Sequence, residues 1–285
     1  MHLTTFQTAD EFLRAAEPTL VANEAANNLM YGMALRGQHF PERFKTPPYF
    51  AVVQQAGQLL AAALMTPPHN LLVFAAGEAE AAFDLLARSL HEQHWPVPGV
   101  LGPSPAALAF AQTWQRLSGQ GYVIEDHERV YELRQVIWPP QPVGAMRAAI
   151  SADLDLLAGW LFSFWQEALP NEPYRLEDAL EAAQQKIIDR DYYVWDTGTV
   201  VALAGRSRPT PHGYCIGPVY TPPQQRGQGY ATALTAALSQ LLLDGGKQFT
   251  ALFTNLANPT SNSIYQKIGY RPVCDFDKYR FVAAP

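Results

Sequence analysis

Cysteine, charge and long apolar runs are all scarce in this chain. Two cysteines among 285 residues, Cys215 and Cys274, cannot build a disulfide framework. Each sits in strand-like sequence, so both read as buried, reduced thiols of a cytosolic protein. Charged residues make up 16% and leave a net charge of −6, with no lysine or arginine run, which argues against a nucleic-acid surface. The richest apolar window, residues 59–65, is strand length, far short of the ~20 residues that cross a bilayer. The N-terminus, MHLTTFQTADEF, shows neither the basic nor the apolar region of a signal peptide. The expectation is a soluble cytoplasmic protein, monomer or homodimer, with no membrane or nucleic-acid partner.

What is plentiful is core material. Hydrophobic residues reach 48%, enough for one large domain or two of ordinary size. Residues 3–6 suit a short strand. Thr8 and Glu11 form a capping box for a helix carrying Phe12, Ala15 and Ala16, which Pro18 is expected to end or kink. A second helix spans about 19–35, with Asn23, Asn27 and Asn28 interrupting its apolar face. Strands at 49–53 and 58–65 flank Ala56-Gly57 as a hairpin. A strand at 71–74, a helix at 78–91, a strand at 97–101, a helix at 105–117 and a strand at 128–136 follow.

The proline-rich stretch 137–143 (IWPPQPV) is the best candidate linker. Beyond it the order recurs: a strand at 146–150, helices from Ser151 and at 176–188, and strands at 192–195, 199–205 and 214–221. A helix after 230, a strand at 248–253, a short helix at 260–267 and strand at 270–281 complete it. Gly121-Tyr122 precedes Tyr131 as Gly269-Tyr270 precedes Tyr279, so the chain reads as an internal duplication.

The second half holds a feature the first lacks. Residues 221–230, TPPQQRGQGY, contain Gln224-x-x-Gly227-x-Gly229. Two glycines let the backbone bend tightly and approach a ligand with no Cβ in the way. Tyr230, Leu234, Ala237, Leu238, Leu241 and Leu242 recur at helical spacing, so the loop opens a helix. A helix start offers unpaired N–H groups and a positive dipole end, which suit a phosphate or pyrophosphate, and Arg226 adds a cation at the rim. Such a turn can also be only a turn. No Gly-Lys-Ser/Thr follows, which excludes a Walker loop, and the three-glycine Rossmann spacing is missing. In the first half, 67–71 (PPHNL) runs straight into apolar sequence.

A second constellation lies at 255–270, NLANPTSNSIYQKIGY, where Asn258 and Ser261 precede Tyr265 on a short helix. With the glycine loop, it closely resembles the GNAT superfamily of acyl-CoA-dependent N-acetyltransferases. That family's Arg/Gln-x-x-Gly-x-Gly/Ala loop is matched by Gln224, Gly227 and Gly229, and its Asn-to-Gly-Phe/Tyr segment by Asn258 through Tyr270. The resemblance covers roughly 146–281. It implies an α/β (α+β) chain of two GNAT-like domains in tandem, each a mixed, mostly antiparallel twisted sheet flanked by helices. The expected division is a degenerate N-terminal domain at 1–137, a linker at 138–143 and a catalytic domain at 144–285.

The resemblance also implies roles. Acetyl-CoA would be the cosubstrate, with no metal. The strand before the loop would splay from its neighbour and pair through Val219, Tyr220 and Thr221 with the pantetheine arm. Gln224 and the N–H groups of Arg226, Gly227, Gln228, Gly229, Tyr230 and Ala231 would hold the pyrophosphate. Asn258 would orient the arm, with Ser261 nearby. Tyr265 would be the general acid, since a phenol of pKa about 10 can share a proton with a departing thiolate. A backbone N–H near Val219 would stabilise the developing oxyanion.

The acceptor would be a primary amine of a small molecule or a peptide. The region walling it offers Phe162, Trp165, Glu167, Asn171, Glu172 and Tyr174. Glu167 or Glu172 would bind the amine or act as base, though either also fits a solvated surface carboxylate. His212 is a further candidate base, and Trp160 and Trp165 suit the core. No nucleophilic Cys or Ser signature appears, so attack would be direct, in a ternary complex. Two rivals are a CoA-binding sensor without turnover and a transferase of larger acyl or aminoacyl groups.

Overall fold

The computed structural model describes residues 1–168 and 174–283, and one order of elements occurs in it twice. The first series is β1 (His2–Phe6), α1 (Ala9–Ala22), α2 (Glu24–His39), β2 (Tyr49–Gln55), β3 (Gln58–Met65), β4 (Leu71–Ala75), α3 (Glu80–Glu92), β5 (Gly99–Pro103), α4 (Ser104–Ser118) and β6 (Gly121–Leu133). The second is β7 (Ala145–Ala148), α5 (Leu154–Ala168), α6 (Leu176–Ile188), β8 (Tyr192–Asp196), β9 (Val200–Ser207), β10 (Gly213–Tyr220), α7 (Tyr230–Asp244), β11 (Phe249–Asn255), α8 (Pro259–Lys267) and β12 (Arg271–Val282). The chain forms two units: Met1–Tyr131 with Phe253–Asn258 and the segment from Pro272 on, and Glu132–Leu252 with Pro259–Arg271.

In unit 1, β1, β2, β3 and β4 are successively antiparallel, and β4 runs parallel to β5. Both sheet faces are covered, so strand residues alternate between two cores. Tyr49, Ala51 and Val53 join Phe83, Leu86 and Phe110 from α3 and α4, whereas Phe50 and Val52 join Phe12, Leu20 and Tyr31 from α1 and α2.

Thr8 caps α1 as its sequence predicts, accepting from Glu11 N at 3.3 Å while Glu11 Oε2 accepts from Thr8 N at 3.3 Å. Pro18, however, does not end the helix. Burying the Phe12, Ala16 and Leu20 stripe completely outweighs a missing hydrogen bond that costs about 3 kcal/mol. The break falls instead at Asn23, where φ is −136° and ψ 63°. Asn27 and Asn28 tolerate burial because their amides donate to Leu20 O at 3.0 Å and Ala25 O at 2.6 Å.

One strand departs from the division expected from sequence. β12 lies within 144–285, yet it pairs antiparallel with β5, from Phe276↔Pro103 to Arg280↔Gly99. Phe276 joins the core that holds Val130 and Leu64, and Arg129 clasps Asp275 through Nε at 2.6 Å and Nη2 at 3.1 Å. The C-terminal strand therefore completes unit 1. Residue 137 goes the other way, its N–H donating to Ile268 O at 3.0 Å within unit 2.

In unit 2, β7, β8, β9 and β10 are successively antiparallel, and β10 runs parallel to β11. Tyr192, Val194 and Leu203 face α5 and α6, while Trp195, Ala202 and Ala204 face α7. Arg147 on β7 ties this edge down, reaching buried Asp153 at 2.7 and 3.0 Å and Asp196 at 2.7 Å. Cys215 is buried and Cys274 only half-buried; both are free.

Candidate active site

β10 organises the site because its pairing changes along its length. Beside β11 its register runs Gly213↔Phe249, Tyr214↔Thr250 and Cys215↔Ala251, and among the described residues the ladder ends there. Against β9 the register slips by one residue between Ile216↔Arg206 and Val219↔Ala204, a bulge that re-aims the strand. Residues 216–220, Val219 and Tyr220 among them, thus lack a ladder to β11.

The strand leads directly into the glycine loop. Pro223–Gln225 form a single 3-10 turn, and Arg226 N–H donates back to Pro223 O at 3.3 Å. That amide is therefore engaged inside the turn rather than offered to a ligand. Gly227 and Gly229 have φ of +78° and +83°, and a Cβ at either would meet nothing within 4 Å. Backbone conformation, not crowding, demands glycine here.

Gly229 is the N-cap of α7, with no side-chain cap, and the first helical bond is Ala233 N to Gly229 O at 3.0 Å. The N–H groups of Tyr230, Ala231 and Thr232 consequently have no partner within the helix, at its positive dipole end. Gln224 and Gln228 are exposed on the loop. Among the described residues, Thr221 Oγ1 is buried without a partner at the loop's entrance. Open amides beside an unsatisfied hydroxyl fit a phosphorylated ligand with hydrogen-bonding groups, as coenzyme A is.

Tyr265 is 8% exposed, on α8. Burial, and after it the nearby Cys215, push its phenol up to about 12, so it stays protonated across the physiological range. Cys215 Sγ itself accepts from Arg208 Nη2 at 2.7 Å. Ser261 is half-buried one turn earlier on the same helix. Asn258 belongs to unit 1, exposed in the turn after β11, where Asn255 Oδ1 accepts from Ala257 N at 2.7 Å and Asn255 O from Asn258 N at 3.0 Å.

Glu167 closes α5 beside the loop. Arg226 Nη2 donates to its two oxygens at 3.0 and 2.8 Å, and Tyr220 OH to Oε1 at 3.4 Å. Nothing local in the sequence signals this, because the partners stand 53 and 59 residues apart. Glu172 and Asn171 lie outside the described residues. Trp160 and Trp165 are half-buried and pack on the edge of the α5–α6 core, where Trp160 tilts against Tyr220 at 6.2 Å and Trp165 stacks on Tyr174 at 4.4 Å. His212 is exposed at the start of β10, eight residues from Tyr220 or about 26 Å along an extended strand, so it cannot serve as base beside the loop.

In unit 1 the element-by-element equivalent of the loop is not 67–71 but the turn from β4 to α3, residues 76–79. It has one glycine, Gly77, and carries Glu78 just before Glu80 opens α3. Two carboxylates at a helix start disfavour a phosphate.

Residues 196–282 match the family model described as FR47-like protein. No curated protein matches the chain. Among solved structures, a Drosophila protein superposes with a TM-score of 0.68 at 14% identity, covering 99% of each chain. A tandem GNAT protein from the clavulanic acid biosynthesis pathway gives 0.59 at 15%, covering 100% of this chain and 99% of that one. A GNAT-family acetyltransferase from Colwellia psychrerythraea gives 0.59 at 12%, covering 99% and 100%. At such identities the likeness shows the fold. An FR47-like segment at residues 196–282 thus lies in a chain whose fold is that of the tandem GNAT protein.

Proposed function

We propose that unit 2 transfers an acetyl group from acetyl-CoA to an amine. The observation that carries this reading is the loop itself: two left-handed glycines deliver three uncapped helix N–H groups beside the stretch of β10 that has no ladder to β11. The amides of Gly227, Gln228, Gly229, Tyr230 and Ala231 hold the pyrophosphate, with Gln224 alongside. Thr221 Oγ1 and the backbone of Val219 and Tyr220 hold the pantetheine arm, and Ser261 is assigned to the same arm. When bound, the cosubstrate supplies an activated thioester for attack by the amine.

The remaining chemistry belongs to the chain. An N–H near Val219, fixed by the β10 bulge, faces the charge that develops on the acyl oxygen. Tyr265 keeps its proton until the thiolate departs, then donates it. Burial of that phenol raises its pKa, which preserves the acid form but weakens it as an acid, so a good part of its effect is hydrogen bonding to the sulfur. Glu167 is assigned to the acceptor side. No covalent enzyme intermediate is required.

Tyr265→Phe tests the reading against a sensor that binds CoA without turnover. The expected outcome is lost acetylation of an amine panel with CoA affinity retained. A wild-type protein that binds CoA yet acetylates no amine supports the sensor instead.

A further inference from the structure

The guanidinium of Arg226 occupies a place built for a cation. Its Nη2 bonds both oxygens of Glu167, its Nε donates to Thr221 O at 2.9 Å, and its central carbon lies 5.8 Å from the centre of the Tyr220 ring. Tyr220 OH donates to the same carboxylate, and Trp160 backs the Tyr220 ring. A carboxylate joined to an aromatic face is a general recognition element for organic cations. The occupant here is the protein's own side chain.

That occupant is attached to the phosphate loop. Arg226 immediately precedes Gly227, and its ion pair with Glu167 is half-exposed on both sides, at 48% and 50%. Exposed ion pairs of this kind are weak and exchangeable. A pyrophosphate brings more charge, and a planar guanidinium binds phosphate oxygens in pairs. Filling the loop therefore gives Arg226 a stronger partner than Glu167.

Chemistry restricts what replaces it. A carboxylate beside an amine holds that amine protonated, and an ammonium group has no lone pair for attack on a thioester. The cation that Glu167 binds is then not the amine that reacts but a second one on the same acceptor. The net charge of −6 favours such a substrate's approach.

Resting on the acetyl-transfer reading, we propose that Glu167 and the Tyr220 ring form a subsite for a second cationic group of a polyamine-like or otherwise dicationic acceptor, and that Arg226 blocks it until the loop takes up the cosubstrate's pyrophosphate.

Calorimetry on the full-length protein tests this, using CoA, a four-carbon diamine and the matching monoamine. CoA at saturation should tighten diamine binding on the order of ten-fold, and by reciprocity the diamine should tighten CoA equally. The monoamine should show no such gain. Arg226→Gln should bind the diamine as well without CoA as with it, and Glu167→Gln should lose the gain while melting like wild type. Equal gains for the two amines, a wild type that binds the diamine identically with and without CoA, or a gain retained in Glu167→Gln would each overturn the proposal. The same titrations show whether CoA binds at all. Absence of CoA binding removes the cosubstrate reading, whereas CoA binding with no effect on the diamine overturns this proposal and leaves the acetyl-transfer reading standing.

Discussion

Tyr265 and Tyr270 meet edge to face, ring centroids 6.0 Å apart, and the Tyr270 hydroxyl is anchored in the core of unit 2 by paired side chains. Tyr270 OH bonds Ser239 Oγ at 3.0 Å and Thr250 Oγ1 at 2.8 Å. The pair therefore predicts opposite mutational phenotypes. Tyr265→Phe should lower kcat by on the order of 10²-fold or more with CoA binding unchanged. Tyr270→Phe should leave Thr250 Oγ1 unsatisfied, since Ser239 Oγ keeps its bond to Thr235 O at 2.7 Å, and cost about 1–3 kcal/mol of stability while sparing kcat. Steady-state kinetics and denaturant melts on both variants separate the roles.

The pH profile follows from the same residue. Because burial lifts the Tyr265 phenol to about 12, its acid form persists below that pH, and activity should show no alkaline loss near the ordinary phenol value of about 10. For stability the sign is the reverse of a carboxylate's. A raised folded pKa stabilises fully below about 10 and loses that contribution as pH climbs toward 12, so alkaline unfolding should begin above pH ~10. A kcat profile falling with a midpoint near 9 or 10 that vanishes in Tyr265→Phe would contradict this environment.

Gly227→Val forces a branched side chain into φ of +78°, at a position where its Cβ meets nothing within 4 Å. Strain on the order of 1–2 kcal/mol should distort the loop locally. Far-ultraviolet circular dichroism should stay as in wild type while CoA affinity falls at least ten-fold in titration, about 1.4 kcal/mol. Unchanged affinity would remove the cradle from the account.

Acid should loosen unit 2 at Arg147. The guanidinium holds Asp153 and Asp196 below the usual carboxylate range, so their stabilisation is present above pH ~4 and is lost as pH falls through the lower folded values. Asp153→Asn should reduce stability at pH 7 and flatten this acid dependence in melts run between pH 2 and 6.

Removal of residues 1–140 should give an insoluble product. It strips β12 of the β5 ladder and exposes Phe276, Tyr279 and Phe281, all buried in the intact chain. A well-behaved monomer from this deletion would contradict the strand's place in unit 1.

Much of this was legible in sequence because the signals are local. Thr8 and Glu11 announce a helix start, Ala56-Gly57 a hairpin, and Gly227 and Gly229 a left-handed turn, each within a few residues. The duplicated order of elements follows from such signals taken in series. What escaped depends on distance. Pro18 survives inside α1 because of core contacts that no local rule includes, and β12's choice of β5 leaves no mark in its own pattern. Glu167 could be named as a candidate, but not its bond to Arg226. His212 looked close to the loop because it enters the same strand, and lies at the strand's other end.

Acetyl transfer itself is tested most directly by mass spectrometry of an amine panel incubated with acetyl-CoA and the full-length protein. The account predicts an amine gaining one acetyl group with stoichiometric release of free CoA, in wild type and not in Tyr265→Phe. Acetylation at equal rates by both proteins, or none by a wild type that has bound acetyl-CoA, would contradict it.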